Sequence, residues 1–377
     1  MSAWPGKYVI GLTGNIATGK SVVRKMLEHL GAYGIDADAL AHRAITPDAP
    51  GYLPVVETFG KWILERDGQI DRAKLGRVVF ADREAMSHLE KIVHPLVGQA
   101  VDILIRRSRQ KVIVIEAIKL LESNLGDQCD SIWVTQARQE VQMNRLMRKR
   151  EMGAASARQR IAAQPAQEKK VSAADVVIHN NGSFEDTWQQ VASAWQRIFP
   201  ATREEPEQEE ASVEGKIEVQ RARPSQAADI ASLITRLSAG RRKMNRDDVM
   251  EAFGEKAFLI LTKKGKSIGI AGWKVENLVA RTDDVYLEAN LSRQEALAAL
   301  MEEVESASRD LQCEISLLFL PKNLDRQDEI SRHIGYQKRT VQSLGIRAWQ
   351  EAAIESMPPG TVMLFKQLRE DRVLRPV

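Results

Sequence analysis

Residues 8–21 read YVIGLTGNIATGKS. A short apolar strand, Tyr8–Thr13, runs into Gly14-x-x-x-x-Gly19-Lys20-Ser21. Behind it, Val22, Val23, Met26, Leu27 and Leu30 share one helical face. A glycine-bounded loop ending in Lys-Ser, with a strand before it and a helix after it, is the setting of a phosphate-binding loop. Gly14 and Gly19 admit backbone angles closed to other residues. The N–H groups along Asn15, Ile16, Ala17 and Thr18 can therefore turn inward around a phosphate. The helix that follows adds the partial positive charge of its N-terminus. Lys20 is expected to reach the β- and γ-phosphates of ATP, and the Ser21 hydroxyl to ligate Mg²⁺. The bland alternative is a glycine-containing turn with a surface lysine; the full spacing weighs against it.

The chain has 377 residues, which favours two domains over one. It is 44% hydrophobic and 28% charged, enough for a proper core. A net charge of +3 is too small to argue for nucleic acid or a membrane surface. The two cysteines, Cys129 and Cys313, are far apart and form no metal or redox motif. They read as small, partly buried hydrophobes in a reducing cytoplasm. No apolar run approaches a membrane span and the N-terminus lacks a signal-peptide pattern, so a cytoplasmic location is expected. Nothing in the sequence sets an oligomeric state.

Residues 201–215, ATREEPEQEEASVEG, divide the chain. Dense in Glu and almost without large hydrophobic residues, they read as an extended, charged linker. The expected division is a domain over 1–200, the linker over 201–215 and a second domain over 216–377.

In the first domain, strands are expected at Tyr8–Thr13, up to Ile35, and at Val112–Ala117, Ser131–Thr135 and Asp175–His179. Helices are expected at Ser21–Leu30, Glu84–Arg109, Gln139–Arg150 and Phe184–Ile198. Their alternation predicts an α/β fold with a mostly parallel sheet covered on both faces. Ligands of such sheets bind at the carboxyl ends of the strands, where the phosphate loop lies. Asp36-Ala37-Asp38 follows the second strand and should emerge at the same edge. One reading makes Asp38 the carboxylate that orients, or deprotonates, an accepting hydroxyl, with Asp36 nearby. The other has the pair cap the next helix. Arg145, Arg148, Lys149 and Arg150 lie on a predicted helix, either as a cationic lid over phosphates or as a solvated face.

A longer series of blocks completes the pattern: GLTGNIATGKS, IDADALAHRAI, TPDAPGYLPVVETFG, DGQIDRAKLGRVVFADREA, HPLV and ADVVIHNNGS. In order and spacing they resemble the dephospho-CoA kinases over nearly all of residues 7–198. The resemblance implies a P-loop kinase with helical substrate and lid regions. The reaction it implies is transfer of the ATP γ-phosphoryl group to the ribose 3′-hydroxyl of dephospho-CoA, the last step of CoA synthesis. By the same resemblance Thr13, Lys20 and Ser21 match P-loop residues, and Asp38 matches the second Asp of an Asp-Ala-Asp. Arg145 matches a lid arginine, His94-Pro95 a substrate-side His-Pro, and Asn181-Gly182 a segment near the adenine. His42, one helical turn after Asp38, is expected to line the same cleft.

The chain departs from that pattern at Asn15 and Ala17, where glycines are usual. Asn tolerates positive φ, while Ala17 fits without strain only at negative φ. In IEAIKLLES, 115–123, the usual Asp-x-Pro-Leu-Leu-Phe-Glu run is altered. Glu116 takes the Asp position, Ile118 the Pro and Lys119 a Leu, while Glu122 is retained. Lys149-Arg150 replaces an Arg-Asp pair. These departures leave open a kinase for another nucleotide-like acceptor, or a non-catalytic CoA-sensing protein.

After residue 216 the order is a strand and a helix in IEVQRARPSQAADIASLI, then a hairpin around Lys264-Gly265 in AFLILTKKGKSIGIAGWKVEN. A strand at Asp284–Ala289, a helix at Glu295–Arg309, a strand at Glu314–Leu320 and a helix at Asp328–Gly335 follow. This order, with a Gly335-Tyr336 signature, resembles the α+β fold of GCN5-related N-acyltransferases. Their pyrophosphate-binding glycine loop is missing from LEANLSRQEALAAL, 287–300, so the second half is expected to bind CoA or a partner, with acetyl transfer as the lesser alternative. Trp273 and Tyr286 read as core or pocket aromatics.

Overall fold

The computed structural model describes residues 3–149, 151–200, 217–289, 291–322, 327–371 and 373–374. Arg150 and the acidic stretch 201–215 lie outside them. In chain order the first half runs β1 (Tyr8–Gly14), α1 (Lys20–His29), β2 (Tyr33–Asp36), α2 (Ala37–Ala44), α3 (Tyr52–Phe59), α4 (Arg72–Ala81) and α5 (Arg83–Arg107). It continues with β3 (Val112–Glu116), β4 (Ser131–Gln136), α6 (Gln139–Lys149), α7 (Ala154–Ala162), α8 (Gln167–Val171), β5 (Val176–His179) and α9 (Phe184–Ile198). The second half runs β6 (Glu218–Arg221), α10 (Ala227–Leu237), α11 (Arg246–Phe253), β7 (Ala257–Lys263), β8 (Lys266–Glu276) and β9 (Val279–Leu287). Then come α12 (Arg293–Asp310), β10 (Ile315–Pro321), α13 (Gln327–His333), β11 (Gln337–Arg339), α14 (Arg347–Ser356) and β12 (Thr361–Gln367).

The chain forms two compact units: Met1–Lys20, Ala32–Asn181 and Asp371–Val377 in one, Ser21–Gly31 and Gly182–Glu370 in the other. The first unit is built on a five-stranded sheet in the order β2-β3-β1-β4-β5. Every neighbouring pair in it is parallel. Strands covered on both faces are apolar throughout, and Val112–Ile115 and Val9–Leu12 are buried residue for residue. Register sets the functional edge. Asp36 pairs with Glu116, Leu12 with Glu116 and Gly14 with Thr135, so the carboxyl ends of β2, β3, β1 and β4 finish together. Caps fix where the helices begin: Asp36 accepts from the Ala39 N–H, Asp71 from Ala73 and Lys74, and Asp82 from Glu84. Pro95 lies inside α5, which continues through it as one helix.

The second unit holds a seven-stranded sheet, β11-β12-β10-β9-β8-β7-β6. It is antiparallel except for β9 and β10, which run parallel with Val279–Thr282 paired to Ile315–Leu318. Alternation along β7 divides two cores. Phe258 and Ile260 pack with α10 and α11, whereas Ala257, Leu259 and Leu261 pack with α12 and α13. Along β10, Ile315, Leu317 and Phe319 meet α14, and Leu318 and Leu320 join the α12 side. The order expected from the sequence is met as far as α13, with α11 added before the hairpin and β11, α14 and β12 following. Lys264 and Gly265 both take positive φ (52° and 72°), as a tight hairpin turn requires.

Several elements differ from expectation. β9 starts at Val279, earlier than the expected Asp284, because its first residues are paired on both sides by β8 and β10. Trp273 is buried in the α12 core and Tyr286 packs beside the α10 core, so both aromatics serve the interior. Tyr336 is likewise buried, its hydroxyl donating to Ser316 Oγ at 2.9 Å. Helices α1 beyond Lys20 and α9 fall in the second unit. There Lys25 Nζ donates to the Val275 carbonyl at 2.9 Å and His29 meets the Phe253 carbonyl at 2.7 Å. Phe184 packs on the α10–α11 core and Glu185 pairs with Arg246 at 2.7 Å.

Candidate active site

β1 delivers the chain to its carboxyl edge at Gly14, and α1 resumes at Lys20. Between them the loop is held by close approaches that only glycine permits. Gly14 (φ 152°) faces Thr135, and a Cβ there would collide with that side chain. Gly19 (φ 93°) faces Asn180, whose amide fills the space a Cβ would need. Thr18 Oγ1 donates to the Asn15 carbonyl at 2.8 Å and lies 2.7 Å from Thr135 Oγ1. Ala17 takes φ 58°, in the left-handed region, whereas Asn15 is not among the residues with positive φ. The strained substitution is therefore Ala17. Asn15 instead uses its side chain, donating Nδ2 to the Pro165 carbonyl at 2.8 Å.

Lys20 is 8% exposed and donates Nζ to the Gly14 carbonyl at 3.2 Å, so its ammonium lies back over the loop. Ser21 follows it, exposed, in the first turn of α1. Thr13 is fully buried, and its Oγ1 donates to the Ile118 carbonyl at 3.1 Å. That makes it a support beneath the loop, not a group open to a phosphate. The Ile16 N–H, on the loop, is taken by Gln164 Oε1 at 2.6 Å.

Arg145 reaches the loop from α6. Its guanidinium donates to the Ala17 carbonyl at 3.2 Å and to Asn180 Oδ1 at 2.9 Å. Burial lowers its pKa, as expected for a cation drawn partly out of water. Asn180 is 5% exposed and also donates Nδ2 to the Thr18 carbonyl at 3.0 Å, so it ties loop and arginine together. Its neighbour Asn181, the residue expected from the sequence, accepts from the Arg138 N–H at 2.7 Å and makes none of these contacts. Asn180, Gln164 and Lys170 were not singled out in the sequence. The one local signal for Asn180 was Gly19, whose missing Cβ makes room for it.

The two aspartates separate in role. Asp36 caps α2, as the bland reading has it. Asp38, two residues on, accepts from the Ile118 N–H through Oδ2 at 3.1 Å. Ile118, where the family pattern carries proline, supplies an N–H that proline lacks. Burial raises the Asp38 pKa, against the opposing pull of that N–H, Lys20 and Lys170; Glu116 adds to the rise. Asp38 also borders a cavity of about 980 Å³ that extends along α5. His42, Glu90, His94 and Lys119 line it with the apolar side chains of Met86, Leu89 and Val93. Lys119 and Glu90 pair on its wall at 2.7 Å. Among the described residues, no three His, Cys, Asp or Glu side chains are grouped to hold a metal ion.

A parallel sheet, a phosphate loop at its carboxyl edge, a carboxylate within electrostatic reach of the loop lysine and an arginine reaching the loop from α6 together define a P-loop phosphotransferase. Residues 8–186 match the family of dephospho-CoA kinases. The dephospho-CoA kinase of Geobacter sulfurreducens is 40% identical over 195 residues, covering 51% of this chain and 99% of the relative. That of Carboxydothermus hydrogenoformans is 44% identical over 192 residues, covering 50% and 93%. The chain belongs to the dephospho-CoA kinase family. Among solved structures, a GNAT-family acetyltransferase from Streptococcus pneumoniae is 13% identical with a TM-score of 0.32, covering 40% of this chain and 99% of its own. No described helix is long and apolar enough to cross a membrane.

Proposed function

We propose that the chain phosphorylates the ribose 3′-hydroxyl of dephospho-CoA with ATP, giving CoA and ADP in the last step of CoA synthesis. The observation that carries the reading is Asp38, which stands at once on the wall of the large cavity and in the electrostatic reach of Lys20. A carboxylate there can accept a proton from a hydroxyl presented beside a bound γ-phosphate. The 3′-oxygen then attacks the γ-phosphorus, its proton passes to Asp38, and the bond to the ADP oxygen breaks. Lys20 and Arg145 supply fixed positive charge where negative charge spreads in the transition state. The ATP phosphates are cradled by the loop Gly14–Ser21, whose collision-limited glycines shape it for that purpose.

The site also fits Mg²⁺. The exposed Ser21 hydroxyl at the start of α1 is a hard oxygen donor of the kind Mg²⁺ takes singly, the remaining positions going to phosphates and water. When bound, it neutralises phosphate charge. In this reading the acceptor takes the cavity along α5, which has His94 on its wall. A cytoplasmic setting fits two free thiols, one of which, Cys129, burial pushes up to about 12.

For the second half, 216–377, the reading is a CoA- or partner-binding module without acyl transfer. The first turn of α12 is capped by its own Ser292 and carries Glu295, which disfavours a pyrophosphate at that terminus, so CoA, where it is the ligand, is not held in the acyltransferase manner.

Purified chain with Mg²⁺-ATP and dephospho-CoA should yield ADP and CoA, and Lys20→Ala and Asp38→Asn should each lower kcat by about 10²–10⁴. Absent product with dephospho-CoA, alongside phosphorylation of a nucleoside or nucleotide, would transfer the reading to another acceptor. Nucleotide binding without turnover of any acceptor would make the chain a sensor.

A further inference from the structure

Lys170 sits on α8 with 4% of its surface exposed. Its ammonium donates to the Ile118 carbonyl at 2.6 Å and reaches Thr13 Oγ1 at 3.5 Å. Among the described residues, no carboxylate lies within ion-pair distance of it. A lysine is rarely buried without a counter-charge, because removing an ammonium from water is costly. Burial accordingly lowers its pKa, with Glu122 and Asp38 opposing at longer range.

Both polar groups of one residue are engaged here. The carbonyl of Ile118 is fixed by Lys170 and Thr13, and its N–H is given to Asp38 Oδ2. A chain of contacts thus runs Lys170–Ile118–Asp38, from the segment after the lid helices to the proposed base. It places Oδ2 against the backbone and leaves Oδ1 to meet the acceptor hydroxyl.

We propose that Lys170 is a positioning residue for phosphoryl transfer: it anchors Ile118, and through the Ile118 N–H it holds the Asp38 carboxylate oriented and ionised. This rests on Asp38 being the base. The charged groups facing Asp38 are Lys20 from the start of α1, Glu116 from the end of β3 and Lys170 from α8; Glu122 faces Lys170 in turn. Asp36 and His42 share α2 with it. Lys170 acts both by charge and through a hydrogen-bonded link.

The test is the pH dependence of kcat for full-length protein with saturating Mg²⁺-ATP and dephospho-CoA. Lys170→Met keeps the stem and removes the ammonium. It should lower kcat at pH 7 by about tenfold and move the acid limb of the profile upward by about one pH unit, leaving KM for ATP within about twofold. Lys170→Arg should keep the limb near its wild-type position. Lys170→Gln, which can still donate to the Ile118 carbonyl, should recover part of kcat without returning the limb fully, and it serves if the Met variant does not fold. An acid limb unmoved in both uncharged variants overturns the inference. So does a loss seen only in KM for ATP. Asp38→Asn separates the two levels: wild-type kcat in that variant removes the base reading itself, whereas its loss beside an unmoved limb in Lys170→Met removes only the role of Lys170.

Discussion

Ala17→Gly should stabilise the first unit. Ala17 holds φ 58° in the phosphate loop, and an L-residue with a Cβ is less stable there than glycine by about 1–2 kcal/mol. Glycine gives back about 0.4–1 kcal/mol through the greater freedom of the unfolded chain. The net gain is about 0.5–1 kcal/mol, or about two- to fivefold in the opening equilibrium. With two compact units, a single unfolding midpoint is not a safe measure. Hydrogen exchange of the buried β1 amides, Val9–Leu12, reports opening of the first unit and should slow by that factor. The Arg145 bond to the residue-17 carbonyl is a backbone contact and survives the change. Asn15→Gly is the contrast. Asn15 has no positive φ to relieve, and the variant loses the bond from Nδ2 to the Pro165 carbonyl, worth about 1 kcal/mol. Exchange should therefore quicken. The two variants moving in the same direction, or Ala17→Gly failing to slow exchange, would refute this account of the loop.

Asn180→Ala removes the amide that joins the Thr18 carbonyl to Arg145 and should lower kcat/KM for ATP by about tenfold or more, from the loss of two buried hydrogen bonds. Asn181→Ala, on the Arg138 N–H, should change it by less than about threefold; equal losses would reverse the assignment. In the second unit, burial and then the Arg221 charge push the His29 imidazole down to about 4. Folded protein then binds fewer protons than unfolded protein between pH 6.5 and 4. Stability is complete above about pH 6.5 and falls on acidification, by about 2 kcal/mol between pH 7 and 5. Urea unfolding of wild type and His29→Gln at both values checks this. Parallel pH dependence in the two would show that His29 is not the group responsible.

The strands of the first sheet were legible because a strand buried on both faces must be apolar without interruption. Helices α5 and α9 were legible from periodicity; the reciprocal cap of Ser183 and Asp186 that fixes the start of α9 was not used in that reading. Helices α3 and α4 were not legible, and α2 was anticipated only as the helix that the Asp36–Asp38 pair could cap. They are short, their ends are set by caps or by Gly51 and Gly60, and packing rather than pattern keeps them helical. β11 is three exposed residues recruited by β12, which leaves no trace in hydropathy. The same division holds in the site. Lys20 and Asp38 lie beside the motif that announces them. Gln164, Lys170 and Asn180 reach the loop across some 150 residues of sequence, and only the folded chain brings them there. Asn181 and Asn180 are adjacent and chemically identical, so spacing alone had no means of choosing between them.

Energetics separates the two helices whose N-termini the sequence compares as phosphate sites. Every helix N-terminus offers unpaired N–H groups and partial positive charge, so α1 and α12 start equal. What precedes them differs. Before α1 come Gly14 and Gly19 with backbone angles that let amides converge, and Lys20 adds a full charge at the first turn. Before α12, Ser292 takes up the Glu295 N–H, and Glu295 places a carboxylate in that same turn. An incoming pyrophosphate would have to displace the cap, worth about 1 kcal/mol, and would then meet like charge without glycine to bring the backbone close. The dipole alone, at about 0.3–1 kcal/mol near an exposed terminus, does not offset both. Of the two termini, the physical case for holding a phosphate therefore lies with α1 and the loop at Gly14–Ser21.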